Sequence, residues 1–365
     1  MNNFQELQEL IEINSYTKNK IGVDKNCELY IKHLQALGYS YKTYKRDDIG
    51  NHIIFNSDKK DGKKLLLLGH IDTVFSEGTF CDFSENKEWI YGPGVCDMKG
   101  GNIVAIEALK NIYKKYGKIE NIDLMLVSDE ETGSDDSKHV TSKVAKDYDY
   151  CLVYEAAGEN LEVVVARKGV GTFYIDIEGK AAHAGNNYTK GMDANLEASY
   201  KLQDLVKLTD LEKGTTVNVG KIKGGIGANT ISPHAKLTFE LRYTQKNERN
   251  KVLKQIDAIV NKSYVKGTIS LLTGGIQRDV MEESENQAKF IHAIEAYTSE
   301  KLLTEKRGGV SDANIVASVG TAVLDGFGPF GDGDHTKHER ALKSTFKQRI
   351  NLSTKIFEGI IEGEI

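Results

Sequence analysis

The chain has 365 residues, enough for two domains of ordinary size and a substantial core. Its 48 Lys and Arg against 53 Asp and Glu leave a formal net charge of −5, which argues against nucleic acid or an anionic membrane as a main partner, because both select a concentrated basic face. No apolar run in the sequence approaches the roughly 18 residues that a bilayer span requires.

The opening stretch MNNFQELQELIEI lacks the basic and apolar regions of a secretory signal and reads as an amphipathic helix, with Phe4, Leu7, Leu10 and Ile11 on one side. The four cysteines, Cys27, Cys81, Cys96 and Cys151, show no metal-ligand spacing and are few for this length, so a reduced cytoplasmic setting is expected. A second helix is predicted over Val23–Leu37, closed by Gly38, followed by strands at Asn51–Asn56 and Lys64–Gly69. The latter belongs to LLLLGHIDTVF, Leu65–Phe75, a continuous apolar run of the kind found in a strand covered on both faces. Ligands of open α/β sheets gather beyond the carboxyl ends of such strands, where His70 and Asp72 fall. A helix at Asn102–Tyr116, a strand at Ile122–Val127 and a strand at Tyr150–Tyr154 continue the alternation of a mostly parallel sheet with helices on both faces.

The pattern then changes. Gly171–Glu178 alternates like a half-exposed strand, and a helix at Ala194–Leu208, strands at Thr215–Ile222 and Ala235–Thr244, a helix at Glu248–Ser263 and a strand at Gly267–Leu272 follow. That βαββαβ order is the order of a small ferredoxin-like α+β layer. Helices at Glu285–Leu302 and Asp312–Val319, a strand at Ala322–Phe327 and a last helix from about Glu339 return to the first texture. The expected organisation is an α/β domain of residues 1–167 and 278–365, interrupted by a smaller domain of residues 168–277.

Acidic and imidazole groups cluster at the predicted strand ends. His70 and Asp72 follow one strand, Glu130 and Glu131 another, and Glu155 a third. Asp97 lies in the glycine-dense loop YGPGVCDMKGG, and His335 in GDGDHTKHE before the last helix, with His338 close by as a competitor. Mixed histidine and carboxylate ligands suit zinc or a similar divalent ion. Two adjacent ions need a shared carboxylate plus a histidine and a carboxylate each, which His70, Asp97, Glu131, Glu155 and His335 would supply. Such a cluster could also serve a two-metal phosphoesterase, or persist in a non-catalytic relative.

The motifs GHIDTV, YGPGVCDMKGG and SDEETGS, a Glu ending the next strand and a late His occur in an order that resembles the M20 family of co-catalytic zinc peptidases and amidohydrolases, over nearly the whole chain. Glutamate carboxypeptidases, acetylornithine deacetylases, succinyl-diaminopimelate desuccinylases and tripeptidases belong to that family. The resemblance implies two divalent metal ions per subunit, with zinc expected and cobalt or manganese compatible. By it, His70 and Glu155 bind one ion, Glu131 and His335 the other, and Asp97 bridges. It assigns Asp72 to orient His70, and Glu130 to take a proton from the water that the ions polarise. The same resemblance gives His183 (GKAAHAG) an oxyanion-stabilising role across a homodimer formed by the inserted lid and dimerisation domain. Asn229 (GANTISP), Arg242 (ELRYT) and Gly309 (RGGVSDAN), with Arg278 added, match positions that hold substrate carboxylates. The implied reaction is cleavage of a peptide or N-acyl amide bond beside a free carboxylate.

Overall fold

The structure, a computed structural model, describes residues 4–365, and the chain divides into two compact units. One is Met1–Ala166 with Glu283–Ile365; the other is Arg167–Glu282.

In the first unit a six-stranded sheet runs in the order Ser40–Tyr44, His52–Asn56, Ile122–Val127, Leu65–His70, Tyr150–Val153, Ala322–Leu324. The first two ladders are antiparallel and the remaining three parallel. Every residue of Leu65–His70 and of Ile122–Val127 is buried, as two-sided coverage by helices demands. The helices Lys99–Tyr116 and Lys343–Glu362 pack on each other, and their apolar faces join one large core with the sheet. Register sets the working end. Leu65 pairs with both Ile122 and Tyr150, so the three central strands stop nearly level and deliver His70, the 128–131 turn and Glu155 to one sheet edge.

A second, four-stranded antiparallel sheet orders Gly331–Asp332, Arg340–Leu342, Trp89–Tyr91 and Ser84–Glu85. It ties the entrance of the Asp97 loop to both flanks of the His335 loop. Gly331 is required there: a Cβ would lie 2.4 Å from the Arg340 carbonyl oxygen and 2.4 Å from the Cys96 Cβ.

Several elements escape the sequence patterns, among them three of the longer ones. The strand Ser40–Tyr44 (SYKTY) is an exposed to half-buried edge without an apolar alternation, and the helix Ser137–Ala145 and strand Val163–Arg167 carry short or mixed patterns. The last helix begins at Lys343 instead of about Glu339, because Arg340–Leu342 pairs with Trp89–Tyr91.

The Arg167–Glu282 unit holds an antiparallel sheet in the order Thr216–Gly224, His234–Tyr243, Gly169–Glu178, Ile269–Arg278. Its helices Ala194–Val206 and Lys246–Asn261 pack on each other and on the sheet around a separate apolar core. Inside that core's rim, Glu197 and Lys201 form a fully buried pair at 3.0 Å; Glu197 accepts the Tyr264 and Val265 N–H groups, and Lys201 caps carbonyls of Ile259, Val260 and Lys262. Among the described residues no helix is long and apolar enough to cross a membrane.

Candidate metal centre and active site

His70 ends its strand with the ring held at both nitrogens. Nδ1 lies 2.9 Å from the Asp72 carbonyl oxygen, which fixes the proton on Nδ1 and leaves Nε2 to face Asp97 Oδ1 at 3.0 Å and Glu155 Oε1 at 3.8 Å. His335, in the left-handed backbone region at φ 60°, places Nε2 3.2 Å from Asp97 Oδ2 and 3.0 Å from Glu131 Oε2. Two groups of candidate ligand atoms result, His70–Asp97–Glu155 and Asp97–Glu131–His335, each with its atoms within 4.8 Å of one another. Asp97 belongs to both, one oxygen toward each histidine. His338 belongs to neither.

The donor set fits a pair of divalent cations. Burial raises the proton affinity of Glu131 and of Glu155, and the nearby Asp97 charge raises it further. Burial also opposes ionisation of Asp97, but hydrogen bonds from His335 and His70 overcome it and hold Asp97 well below the ordinary range. Burial disfavours a charged His70, yet hydrogen bonds to Asp72 and Asp97 push its pKa up; hydrogen bonds to Asp97 and Glu131 do the same for His335. Glu131, Glu155 and the two imidazoles thus favour their protonated forms around an ionised Asp97, and a cation bound among them would take the place of those protons.

Around the two triads stand residues that shape them. Asp72 is fully buried; Oδ2 accepts the Thr17 hydroxyl at 2.7 Å and the Glu131 N–H at 3.3 Å, while Oδ1 accepts the Glu130 N–H at 3.3 Å. Glu130 is nearly buried in the single 3₁₀ turn Glu130–Thr132 and lies in neither triad. Behind that turn, His52 Nδ1 accepts the Ser128 N–H at 3.2 Å and its Nε2 therefore donates to Asp136 Oδ1 at 2.8 Å, where Arg46 also binds. Asp129, on the turn itself, accepts the Asp136 and Ser137 N–H groups and starts the next helix.

The sequence reading passed over Glu339 and Lys99. Glu339 accepts the N–H groups of Gly94, Cys96 and Asp97 at 2.9, 3.0 and 3.1 Å. Its carboxyl is pushed up to about 7 by burial and by the Asp97 charge, against those three donors. Lys99, buried at the start of its helix, donates to the Leu10 and Ile13 carbonyls and is pushed down to about 7 by burial. The signals were there: a glutamate four residues after a candidate ligand, and a lysine two residues after another.

The other predicted residues are placed as follows. Gly309 is exposed in the first unit, between the strand Thr304–Arg307 and the helix Ala313–Ser318. In the second unit His183 is exposed, and its Nδ1 accepts the Gly185 and Asn186 N–H groups at 3.1 and 3.2 Å, which assigns the proton to Nε2. The Ala184 N–H donates to the Asn229 carbonyl at 2.9 Å, so His183 and Asn229 are neighbours. Arg242 and Arg278 both pair with Val170 from opposite sides, in one row at the other end of that sheet. Arg242 is forked onto Glu240 at 2.7 and 3.3 Å, whereas Arg278 is buried.

The family described as Peptidase family M20/M25/M40 matches residues 66–359 of the chain. Carboxypeptidase G2 of Pseudomonas sp. (strain RS-16) is 28% identical over 373 residues, covering 98% of this chain and 89% of that protein. Succinyl-diaminopimelate desuccinylase of Buchnera aphidicola is 25% identical over 347 residues, covering 87% of this chain and 88% of its own. Among solved structures, a tripeptidase from Staphylococcus aureus shares the fold with a TM-score of 0.80 at 23% identity, covering 99% of both chains.

Proposed function

Because the chain belongs to peptidase family M20/M25/M40, and is thus a hydrolase, we propose that it cleaves a peptide or N-acyl amide bond beside a free carboxylate, as a carboxypeptidase or dipeptidase does. The observation that carries this reading is the pair of ligand groups sharing Asp97, with a near-buried glutamate, Glu130, next to a ligand but outside both groups.

In this reading His70, Asp97 and Glu155 hold one divalent ion and Asp97, Glu131 and His335 the other. Zinc is the proposed metal, with cobalt and manganese compatible with the same donors. When bound, such ions polarise the scissile carbonyl and bring the pKa of a water toward about 7. Glu130 takes the proton of the attacking water and returns it to the leaving nitrogen. Asp72 holds the proton on His70 Nδ1 through the local geometry and anchors the 3₁₀ turn, so that Glu130 and Glu131 are presented together.

Substrate carboxylate recognition is assigned to Arg242, Arg278 and Gly309, and to Asn229, which stands beside His183 at the opposite end of its sheet and would act with it from the partner copy; the Arg242 fork on Glu240 would be exchanged for the substrate. The inserted unit is proposed as the lid and as the contact of a homodimer. The edge strand Thr216–Gly224 exposes Ile222, and the helix Ala194–Val206 packed beside it exposes Leu196 and Tyr200, which supports pairing with a second copy. His183, with its Nε2 proton outward, then stabilises the oxyanion of the partner's reaction.

A second reading, removal of an N-acyl group from an amino acid, is favoured by the likeness to a desuccinylase. The test is turnover by the purified chain with zinc, cobalt or manganese restored, against dipeptides, tripeptides and N-succinyl or N-acetyl amino acids. Cleavage of peptides with a free C-terminal carboxylate is expected; cleavage of acyl amino acids alone selects the second reading, and a panel left uncut by all three metals sinks both. Light scattering after size exclusion tests the dimer, a single-chain mass being the contrary result.

A further inference from the structure

Asp97 can serve two ligand groups only if its carboxylate stands still between two histidines that come from opposite ends of the chain. Its own loop is glycine-rich: Tyr91–Gly101 contains four glycines, and no regular element lies between the strand Trp89–Tyr91 and the helix at Lys99. Backbone hydrogen bonds from Val95 to Gly92 and from Gly100 to Gly94 turn it, the Gly92 N–H reaches the Glu339 carbonyl, and the side chain of that same Glu339 grips its 94–97 stretch. The Glu339 carboxylate is 1% exposed, and its two oxygens accept the N–H groups of Gly94 at 2.9 Å, Cys96 at 3.0 Å and Asp97 at 3.1 Å. Oε1 takes both the Cys96 and the Asp97 donors, so the grip closes on the ligand residue itself.

A buried anion is expensive unless it is fully hydrogen-bonded, and neutral loop scaffolding would have been served by a serine or asparagine. A carboxylate offers acceptors alone, so it can take all three N–H donors, and the Cys96 thiol at 3.5 Å beside them, without presenting a donor of its own. Glu339 also immediately precedes the return strand Arg340–Leu342, four residues after His335, and the small sheet locks that strand to Trp89–Tyr91. One short segment therefore delivers a ligand, His335, and the clamp on the ligand it shares with His70.

We infer that Glu339 is a positioning residue, whose carboxylate holds the 94–97 loop so that the two oxygens of Asp97 face His70 and His335 at once. This rests on the reading of Asp97 as the shared ligand. The physical consequence is specific. Loosening the loop leaves each histidine and each outer glutamate in place but lets the shared oxygen pair rotate, which weakens metal binding where both groups depend on it. Partners that orient a ligand typically contribute about 10–100-fold in metal affinity or activity.

The test compares the wild type with E339Q, E339A and D97A as full-length proteins, titrated with zinc against a competing chelator and, separately, with cobalt read by visible absorption. In E339Q the amide oxygen still accepts from Cys96 and Asp97, but the NH₂ meets the Gly94 donor. Zinc affinity and kcat are expected to fall about 10–100-fold with KM within a few-fold, a changed cobalt spectrum and an unchanged far-ultraviolet circular dichroism spectrum. E339A is expected to fall further, and should it fail to fold, E339Q alone decides. Wild-type zinc affinity and cobalt spectrum in E339Q, whatever its melting temperature, would overturn the inference. A D97A protein that keeps its full zinc content would instead overturn the shared-ligand reading beneath it.

Discussion

Asp72 accepts the backbone N–H of Glu130 at 3.3 Å, so a residue at the end of one strand fixes the turn that follows its neighbour. The same carboxylate takes the Glu131 N–H and the Thr17 hydroxyl. Replacement by asparagine preserves size but leaves only one oxygen to accept, and the amide hydrogens point at donors. D72N should therefore fold, and lose about 10–100-fold in kcat together with a comparable loss of zinc affinity. Steady-state kinetics and chelator competition on the same preparation check this; unchanged values for both would mean that Asp72 is only a buried structural acid.

How much of this could be read from the chain alone depends on the range of the signal. The Leu65–His70 strand announced itself because burial on both faces leaves a run of leucines, and the residue that ends the run lies at the sheet's working edge for the same reason. The βαββαβ order was legible from alternation, because one face of that antiparallel sheet is less buried than the other. What was not legible is what depends on meetings between distant segments. Glu339 is an ordinary glutamate in sequence, and its meaning lies in three N–H groups some 240 residues earlier. The Ser40–Tyr44 strand likewise has no apolar face to betray it, since its place at the edge is fixed by pairing with His52–Asn56.

Glu130 and Glu131 are adjacent, yet only Glu131 lies in a ligand group. Their glutamine variants should separate accordingly. E130Q is expected to retain the wild-type metal content and lose about 10²–10⁴-fold in kcat, the usual contribution of a general base. E131Q should bind one ion less tightly, with activity recovering in part at raised zinc. Metal-to-protein ratios after dialysis, read beside kcat, distinguish the two, and the assignment fails if E130Q is the variant that loses metal.

The buttress behind that turn predicts a pH dependence away from the ligands. Burial favours the protonated Asp136, but hydrogen bonds from Arg46 and His52 outweigh it and hold the carboxyl below its ordinary value. A carboxyl lowered in the folded state contributes stability above the unfolded value near about 3.9, and that contribution is lost as the pH falls through the folded value. D136N should thus be less stable than the wild type at pH 7, with the gap closing toward pH 3. Urea midpoints across this range, with chelator present in all samples, measure it. A gap that stays constant down to pH 3 would show that the charge of Asp136 is not what matters.

Gly101 sets two opposing effects against each other. It lies in the first turn of the helix Lys99–Tyr116, where exchanging glycine for alanine ordinarily gains about 1 kcal/mol. A Cβ at this position, however, would lie 1.8 Å from the Tyr154 carbonyl oxygen and 2.9 Å from its carbon, and both are backbone atoms that cannot swing away. The next residue, Glu155, is a candidate ligand. Overpacking of this kind costs about 1–3 kcal/mol or more, so the steric effect wins. G101A should lower the urea midpoint at constant slope and weaken zinc binding, because the strand end must move to admit the methyl group. Were G101A instead more stable than the wild type, the close approach of helix and strand that brings Asp97 to Glu155 would have to be abandoned.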